Sequence, residues 1–300
     1  MTNKLRPLLA TEVKNFKDLK LPMLASVKLD GIYALIVDGV IYSRSFKPIK
    51  NKHVQKLFGN RDLNGLVGEL VCGDVYAEDV FRQTTTATMA EDGVNDVKLY
   101  VFDDWSVGDK PYQERYQHYQ RRIKALNHGS IVALEHNMLH TIDEVITALD
   151  KEQKRNGEGI ILRLPSAKWK NGRSTPKSQE SVKLKFFEQQ EYKIVDVVER
   201  MHNANEAKVN EMGYTERSSH KDNMIPMNTF GAFVMELQDG RNFNVGSGLG
   251  LTDAVRKEIW NNRDKYIGKI ATVRQMKVGS KNGIPRLPTF VGLRDKDDMS

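Results

Sequence analysis

Lys28 is the side chain of this sequence best placed for covalent chemistry. It lies in the run SVKLDGIYALIVDGVIYSR from Ser26 to Arg44. There an apolar approach ends at Val27, Asp30-Gly31 turns the chain, and Ala34 to Ser43 reads as a β-hairpin with a two-residue Asp38-Gly39 turn. A lysine on a rigid sheet edge beside a turn can act as a nucleophile, but only where its neighbours leave the amine neutral as it attacks. Taken alone, K-x-D-G reads equally well as a surface turn with a solvated lysine, so other residues must carry the case. Glu69 and Glu158 are carboxylates beside apolar runs at predicted strand positions, where burial demands a partner. Lys183 and Lys185 alternate along a predicted strand and so face one side of its sheet.

These residues need a frame. Leu66–Val71 and Lys98–Asp103 read as strands, and the threonine-rich Gln83–Thr88 as a turn or strand edge whose hydroxyls could reach phosphates. Pro111 opens a charged helix that runs to about Leu126, with Gly129 just beyond. Thr141 and Glu144 form a capping box for a second helix with Ile142, Val145, Ile146 and Leu149 on one face, ended by Gly157. The strand EGIILR (158–163) follows directly. A boundary near Phe186–Gln190 separates an expected domain of residues 1–188 from one of 189–300. The second domain reads as Tyr192–Glu199, Phe230–Leu237, Arg241–Val245, Lys269–Met276 and Thr289–Gly292, with a helix capped by Thr252. Five short strands and one helix suggest a small OB-type barrel. Residues 201–228 are too long and polar for an ordinary hairpin loop and read as functional or disordered.

Composition narrows the class. No run of about 18 apolar residues is present, and the N-terminus lacks an apolar signal region. A lone cysteine, Cys72, excludes an internal disulfide and a cysteine zinc cluster, and fits a reducing cytoplasm. The net charge of +7 favours a polyanionic partner. Basic residues concentrate between Arg163 and Lys185, where Lys168, Lys170, Arg173, Lys177 and Lys183 also lie and Glu180 is the lone acid. Either a solvated basic loop or a phosphate-binding stretch accounts for that run.

In order along the chain stand KLDG (28–31), SR (43–44), GEL (68–70), LYVFD (99–103), EGIILR (158–163) and VKLK (182–185). This ordered set resembles the covalent nucleotidyltransferases, which comprise DNA ligases, RNA ligases and capping enzymes. RLPTFVGLRDKDD (286–298) resembles the last motif of ATP-dependent DNA ligases. NMIPMNTFGAF (223–233) resembles the DNA-clasping latch of the minimal, chlorella-virus-like viral type.

The resemblance implies an α+β fold, a nucleotidyltransferase (adenylation) domain of antiparallel sheets with helices followed by an OB-fold barrel, with the latch at about 201–228. It implies a monomer that uses ATP and Mg²⁺ (or Mn²⁺) to seal 3′-hydroxyl/5′-phosphate nicks in duplex DNA. Lys28 would carry AMP, and Lys183 and Lys185 would neutralise the α-phosphate and help depress the Lys28 pKa. Asp30 acts the opposite way on the lysine, and the resemblance puts it near the nick instead. Glu69 would bind the ribose or the metal, Glu158 the metal, and Arg44 the ribose or the DNA end. Tyr100 would stack on adenine; Phe102 faces the same side, and motif position favours Tyr100. Arg173 and Lys177 would join Asp30 and Arg44 on DNA, and Arg294 and Asp297 would orient the pyrophosphate. The pattern usually continues K-x-D-G-x-R, its arginine on the nick 5′-phosphate. Here Tyr33 stands in that place, and a phenol cannot pair bidentately with phosphate.

Two rival readings remain at the level of sequence. One is an RNA ligase or capping-type enzyme of the same superfamily. The other is a non-catalytic OB-type nucleic-acid-binding module, which leaves Lys28, Glu69, Glu158, Lys183 and Lys185 as coincidence. An NAD-dependent ligase is disfavoured, since no nicotinamide-binding segment precedes Lys28 and the cysteine zinc motif is missing.

Overall fold

Lys28 lies where the chain leaves one sheet for another. In the computed structural model, which describes residues 5–13, 15–281 and 283–294, Met23–Val27 is an inner strand of a four-stranded antiparallel sheet. That sheet runs Ser181–Lys185, Gly159–Arg163, Met23–Val27, Asn137–Leu139. Ile32–Val37 belongs to a five-stranded sheet ordered Val40–Ser43, Ile32–Val37, Leu66–Cys72, Val97–Asp104, Ile131–Ala133, whose last pair is parallel. Lys28 to Gly31 is the crossing. Lys28 therefore stands at the end of an inner strand, not on a sheet edge, and its backbone N–H donates to Gly159 O at 2.9 Å.

Gly31 is required at the crossing, because a Cβ there would lie 2.1 Å from the Leu70 carbonyl oxygen. The hairpin beyond it turns at Asp38 (φ 51°) and Gly39 (φ 78°), the positive angles a two-residue turn demands.

Each sheet is backed by helices that bury an apolar face. Val54 and Phe58 of Lys52–Phe58, and Tyr119 and Ile123 of Tyr112–Leu126, pack on Ala34, Leu70, Leu99 and Val101. Val145 and Leu149 of Ile142–Lys154 cover Met23, Ala25, Ile160 and Leu162. Each such aliphatic side chain contributes about 1.5–3 kcal/mol relative to exposure, which holds both strand ends of the crossing in place. The Thr141–Glu144 capping box forms as expected. Asn156 (φ 60°), not Gly157, takes the left-handed position beyond that helix.

Gln83–Thr88 departs from its sequence reading. It lies within the helix Val80–Met89, with Thr84 and Thr88 fully buried. Thr84 Oγ1 accepts from Cys72 N–H at 2.9 Å, and Thr88 Oγ1 donates to Thr84 O at 2.8 Å. Tertiary partners satisfy the hydroxyls, so β-branched propensity is overridden.

The chain divides into two compact units, Met1–Phe186 and Phe187–Ser300. The second is a five-stranded sheet ordered Asn242–Val245, Met224–Glu236, Glu188–Asn203, Ile270–Lys281, Ile284–Leu293. A Gly248–Phe290 bridge closes it, and Phe290 N–H donates to Ser247 O at 2.7 Å. Ile194, Phe230, Phe233, Val245 and Val273 fill the barrel, and Ile259 of the helix Asp253–Asn261 packs on them. Four strands run longer than the sequence reading gave. Glu188–Asn203 and Met224–Glu236 extend as a paired arm out of the barrel, with the hairpin Ala207–Val209/Thr215–Arg217 between them. Residues 201–228 are thus a β-arm, on which Val209 (76% exposed), Tyr214 (52%) and Ile225 (52%) stand in solvent. Among the described residues no helix is long and apolar enough to cross a membrane.

Candidate active site

A cleft in the first unit gathers most of the candidate residues. Lys28, Arg44, Glu69, Arg173, Lys183 and Lys185 all line it. Glu158 lies just behind them, 5% exposed, at the start of Gly159–Arg163. Gly159 (φ 141°) sets that position, since a Cβ would meet Leu184 O at 2.0 Å. The tight approach brings Glu158 under the end of the neighbouring strand, where Lys185 pairs with Gly159 in register.

The result is a three-residue ion cluster. Glu158 Oε2 is ion-paired with Lys28 Nζ, and Oε1 with Lys185 Nζ at 2.5 Å. The side chains of Lys28 and Lys185 are 19% and 12% exposed, that of Glu158 only 3%. Burial by itself would raise the Glu158 carboxyl, but the charges of Lys28 and Lys185 outweigh it and hold it below the usual range. Lys185 is lowered, by burial first and then by the charges of Lys28 and Lys183, against the pull of Glu158. Lys183, on the same face two residues earlier, pairs with Glu12 at 3.1 Å.

Glu69 behaves differently. It lines the cleft half-buried. Desolvation pushes its carboxyl up to about 8, with Glu158 and Asp30 adding and Lys28 and a Gly31 backbone bond opposing. Glu69 and Glu158 are the two carboxylates at this end of the cleft. Among the described residues no group of three or more His, Cys, Asp or Glu makes a protein-only metal site.

Four sequence candidates stand elsewhere. Tyr100 is not part of the cleft lining; it packs beside Val71 and Leu134, whereas Phe102 lines the cleft. Asp30 sits in the crossing loop, outside the lining, and Lys177 is exposed in a turn. Arg294 belongs to the second unit, where it is ion-paired with Glu191 and its N–H donates to Ile270 O at 2.9 Å. Asp297 lies outside the described residues.

The cleft also holds residues that sequence reasoning did not place there: Tyr33 and Arg163. Arg163, counted above among a basic run, is 5% exposed and bonds Asp103 Oδ2 at 3.0 Å. Asp103 also takes Arg115 in a two-point bond, Nε to Oδ1 at 2.7 Å and Nη2 to Oδ2 at 3.2 Å.

The family model "ATP dependent DNA ligase domain" matches residues 7–185, and "DNA ligase OB-like domain" matches residues 226–294. No curated protein sequence matches the chain. Among solved structures, a chlorella virus DNA ligase-adenylate is 28% identical with a TM-score of 0.55, over 98% of this chain and 99% of that one. A structure from a structure–function study of Lig E DNA ligases, which describes DNA binding with a minimal scaffold, is 20% identical. Its TM-score is 0.70, over 96% of this chain and 99% of that one, which speaks to the fold.

Proposed function

This chain belongs to the ATP-dependent DNA ligase family, and from that premise we propose how its own residues carry the reaction. As an ATP-dependent DNA ligase it takes ATP and DNA and works through a lysyl-AMP intermediate. The observation that supports the residue assignment most strongly is the joint of Lys28, Glu158 and Lys185 at the crossing between two sheets, inside the cleft.

In the resting protein Glu158 holds both ammonium groups. Attack requires Lys28 to give up its proton to solvent and turn from Glu158 toward the nucleotide. Lys28 Nζ then bonds the α-phosphorus as the bond to pyrophosphate breaks. Lys183 and Lys185 offset the charge that gathers on the phosphoryl oxygens. AMP passes next to the 5′-phosphate at a nick, and the 3′-hydroxyl attacks that phosphate in line, releasing AMP. Mg²⁺ (or Mn²⁺), held by Glu158 and Glu69 together with phosphate oxygens, would supply Lewis-acid stabilisation of charge.

Without a metal the Glu69 carboxyl, raised by desolvation, holds its proton and can donate to a ribose hydroxyl; a bound cation would release that proton and take the carboxylate as a ligand. Phe102 replaces Tyr100 as the aromatic face for adenine, because it is the one that lines the cleft. Arg44 and Arg173 reach the DNA end from the lining, with Asp30 and Lys177 on the DNA side of the same unit. Arg294 serves the pyrophosphate once it exchanges Glu191 for phosphate.

Residues 1–188 form the adenylation domain and 189–300 the OB domain, whose arm at 201–228 reaches round the duplex. The protein acts as a monomer in the cytoplasm. The arm's part is tested by deletion, which should weaken binding to nicked DNA far more than self-adenylation; equal loss of both would reject it.

The reading as a whole is tested by incubating AMP-free protein with Mg²⁺ and α-labelled ATP, alongside Lys28→Ala. Acid-labile label on the wild type alone, chased into nicked DNA but not nicked RNA, supports it. A wild type that takes no label would leave the cleft without the proposed chemistry.

A further inference from the structure

One residue of the cleft has no task in this cycle. Tyr33 occupies the place where the K-x-D-G-x-R pattern carries an arginine for the nick. Its hydroxyl is buried and, among the described residues, has no hydrogen-bond partner. The same is true of one other side-chain atom, Arg163 Nε. Both residues line the nucleotide cleft, and both lie against one aromatic ring. The Tyr33 ring centroid is 5.8 Å from that of Phe102, tilted 57°, and the Arg163 guanidinium carbon lies 5.0 Å from the Phe102 centroid.

Buried polar atoms without partners are few in folded proteins, because each forfeits its hydration. Two of them beside one ring in a ligand cleft mark a place where the partner arrives with the ligand. Their chemistry narrows that partner. Arg163 Nε–H can only donate, while its Nη1 is already committed to Asp103. The phenol donates or accepts and stays un-ionised, since desolvation raises it far above neutral pH. The phosphates have Lys28, Lys183 and Lys185 to meet them. What remains of a nucleotide is its sugar hydroxyls and base nitrogens, acceptors that sit against an aromatic face.

We propose that Tyr33 Oη and Arg163 Nε bind the nucleoside portion of ATP, and that position 33 in this chain serves the nucleotide and not the nick. The assignment rests on the ligase reading above.

The test uses AMP-free wild type and Tyr33→Phe, titrated with α,β-methylene-ATP, which binds without donating AMP. The variant is expected to bind about tenfold more weakly. Its affinity for inorganic tripolyphosphate should be unchanged, and its Tm without ligand equal to or above wild type, since the lost hydroxyl left no partner behind. Equal affinity of the two proteins for the analogue overturns the proposal. So does a parallel loss for tripolyphosphate, or a loss confined to nicked-DNA binding. A wild type that does not bind the analogue overturns the ligase reading itself, which separates the two failures.

Discussion

The first unit contains two carboxylates that each bridge two cations, and they differ in almost every respect that matters. Asp103 joins Arg115 and Arg163 at 0%, 1% and 5% exposure, with Arg115 also donating to Lys110 O and Ala167 O at 2.7 and 2.9 Å. Glu158 joins Lys28 and Lys185, both of which open onto the cleft. Guanidinium groups never lose their charge and bond carboxylates through a rigid fork, so the Asp103 cluster is fixed. Ammonium groups are compact, carry rotatable donors and can be neutralised, so the Glu158 cluster can exchange its partners. On the proposed assignment, the same arrangement of charges is a fastening in one place and a set of reactants in the other.

The largest expected effect separates them through stability. Asp103→Asn strands two buried guanidinium groups and should cost about 3–5 kcal/mol. In a unit of this size that is roughly 10 °C of Tm by calorimetry. A shift of only a degree or two would mean that the cluster is not the fastening described here.

Lys185→Ala comes next. It should slow self-adenylation about 10²–10³-fold in single-turnover assays while leaving Tm nearly unmoved. Loss of Tm without loss of rate would make Lys185 structural.

Glu69 gives a pH-dependent effect of intermediate size. Its folded carboxyl titrates at about 8 against an ordinary 4.5, so the folded state holds a proton that the unfolded state releases between those values. Its contribution is fully present below about pH 4.5 and is lost as pH rises through about 8. Glu69→Gln should therefore flatten the decline of Tm across that window. Parallel Tm curves for the two proteins would contradict the assignment. The smallest effect belongs to Glu12→Gln. Glu12 is half exposed in its pair with Lys183, and its loss should change both Tm and adenylation by less than about 0.5 kcal/mol.

The residues of the Glu158 cluster were legible in the sequence and those of the Asp103 cluster were not, for a physical reason. Lys28, Glu158 and Lys185 sit in short strands and turns whose local signals are strong: an Asp-Gly hairpin, a Thr141 capping box just before Glu158, and alternation in VKLK. Asp103, Arg115 and Arg163 are brought together only by packing across three elements, and each alone looks like a surface charge. Strand parity leaves Tyr100 and Phe102 on the same face, and Phe102 lines the cleft where Tyr100 does not. The helix at Val80–Met89 escaped because its threonines find partners on a distant strand. The arm at 201–228 announced itself by length and polarity, but its paired strands depend on register with Glu188–Asn203, which no local window contains.

The central claim is that the Glu158 cluster performs chemistry while the Asp103 cluster maintains the fold. The most direct measurement is the single-turnover rate of Lys28 adenylation at saturating ATP, per folded molecule, in Glu158→Gln and Asp103→Asn side by side. The account expects Glu158→Gln to fall at least about 100-fold at near wild-type Tm, and folded Asp103→Asn to react within a few-fold of wild type. A Glu158→Gln protein that adenylates normally, or a fully folded Asp103→Asn protein that does not, would contradict it.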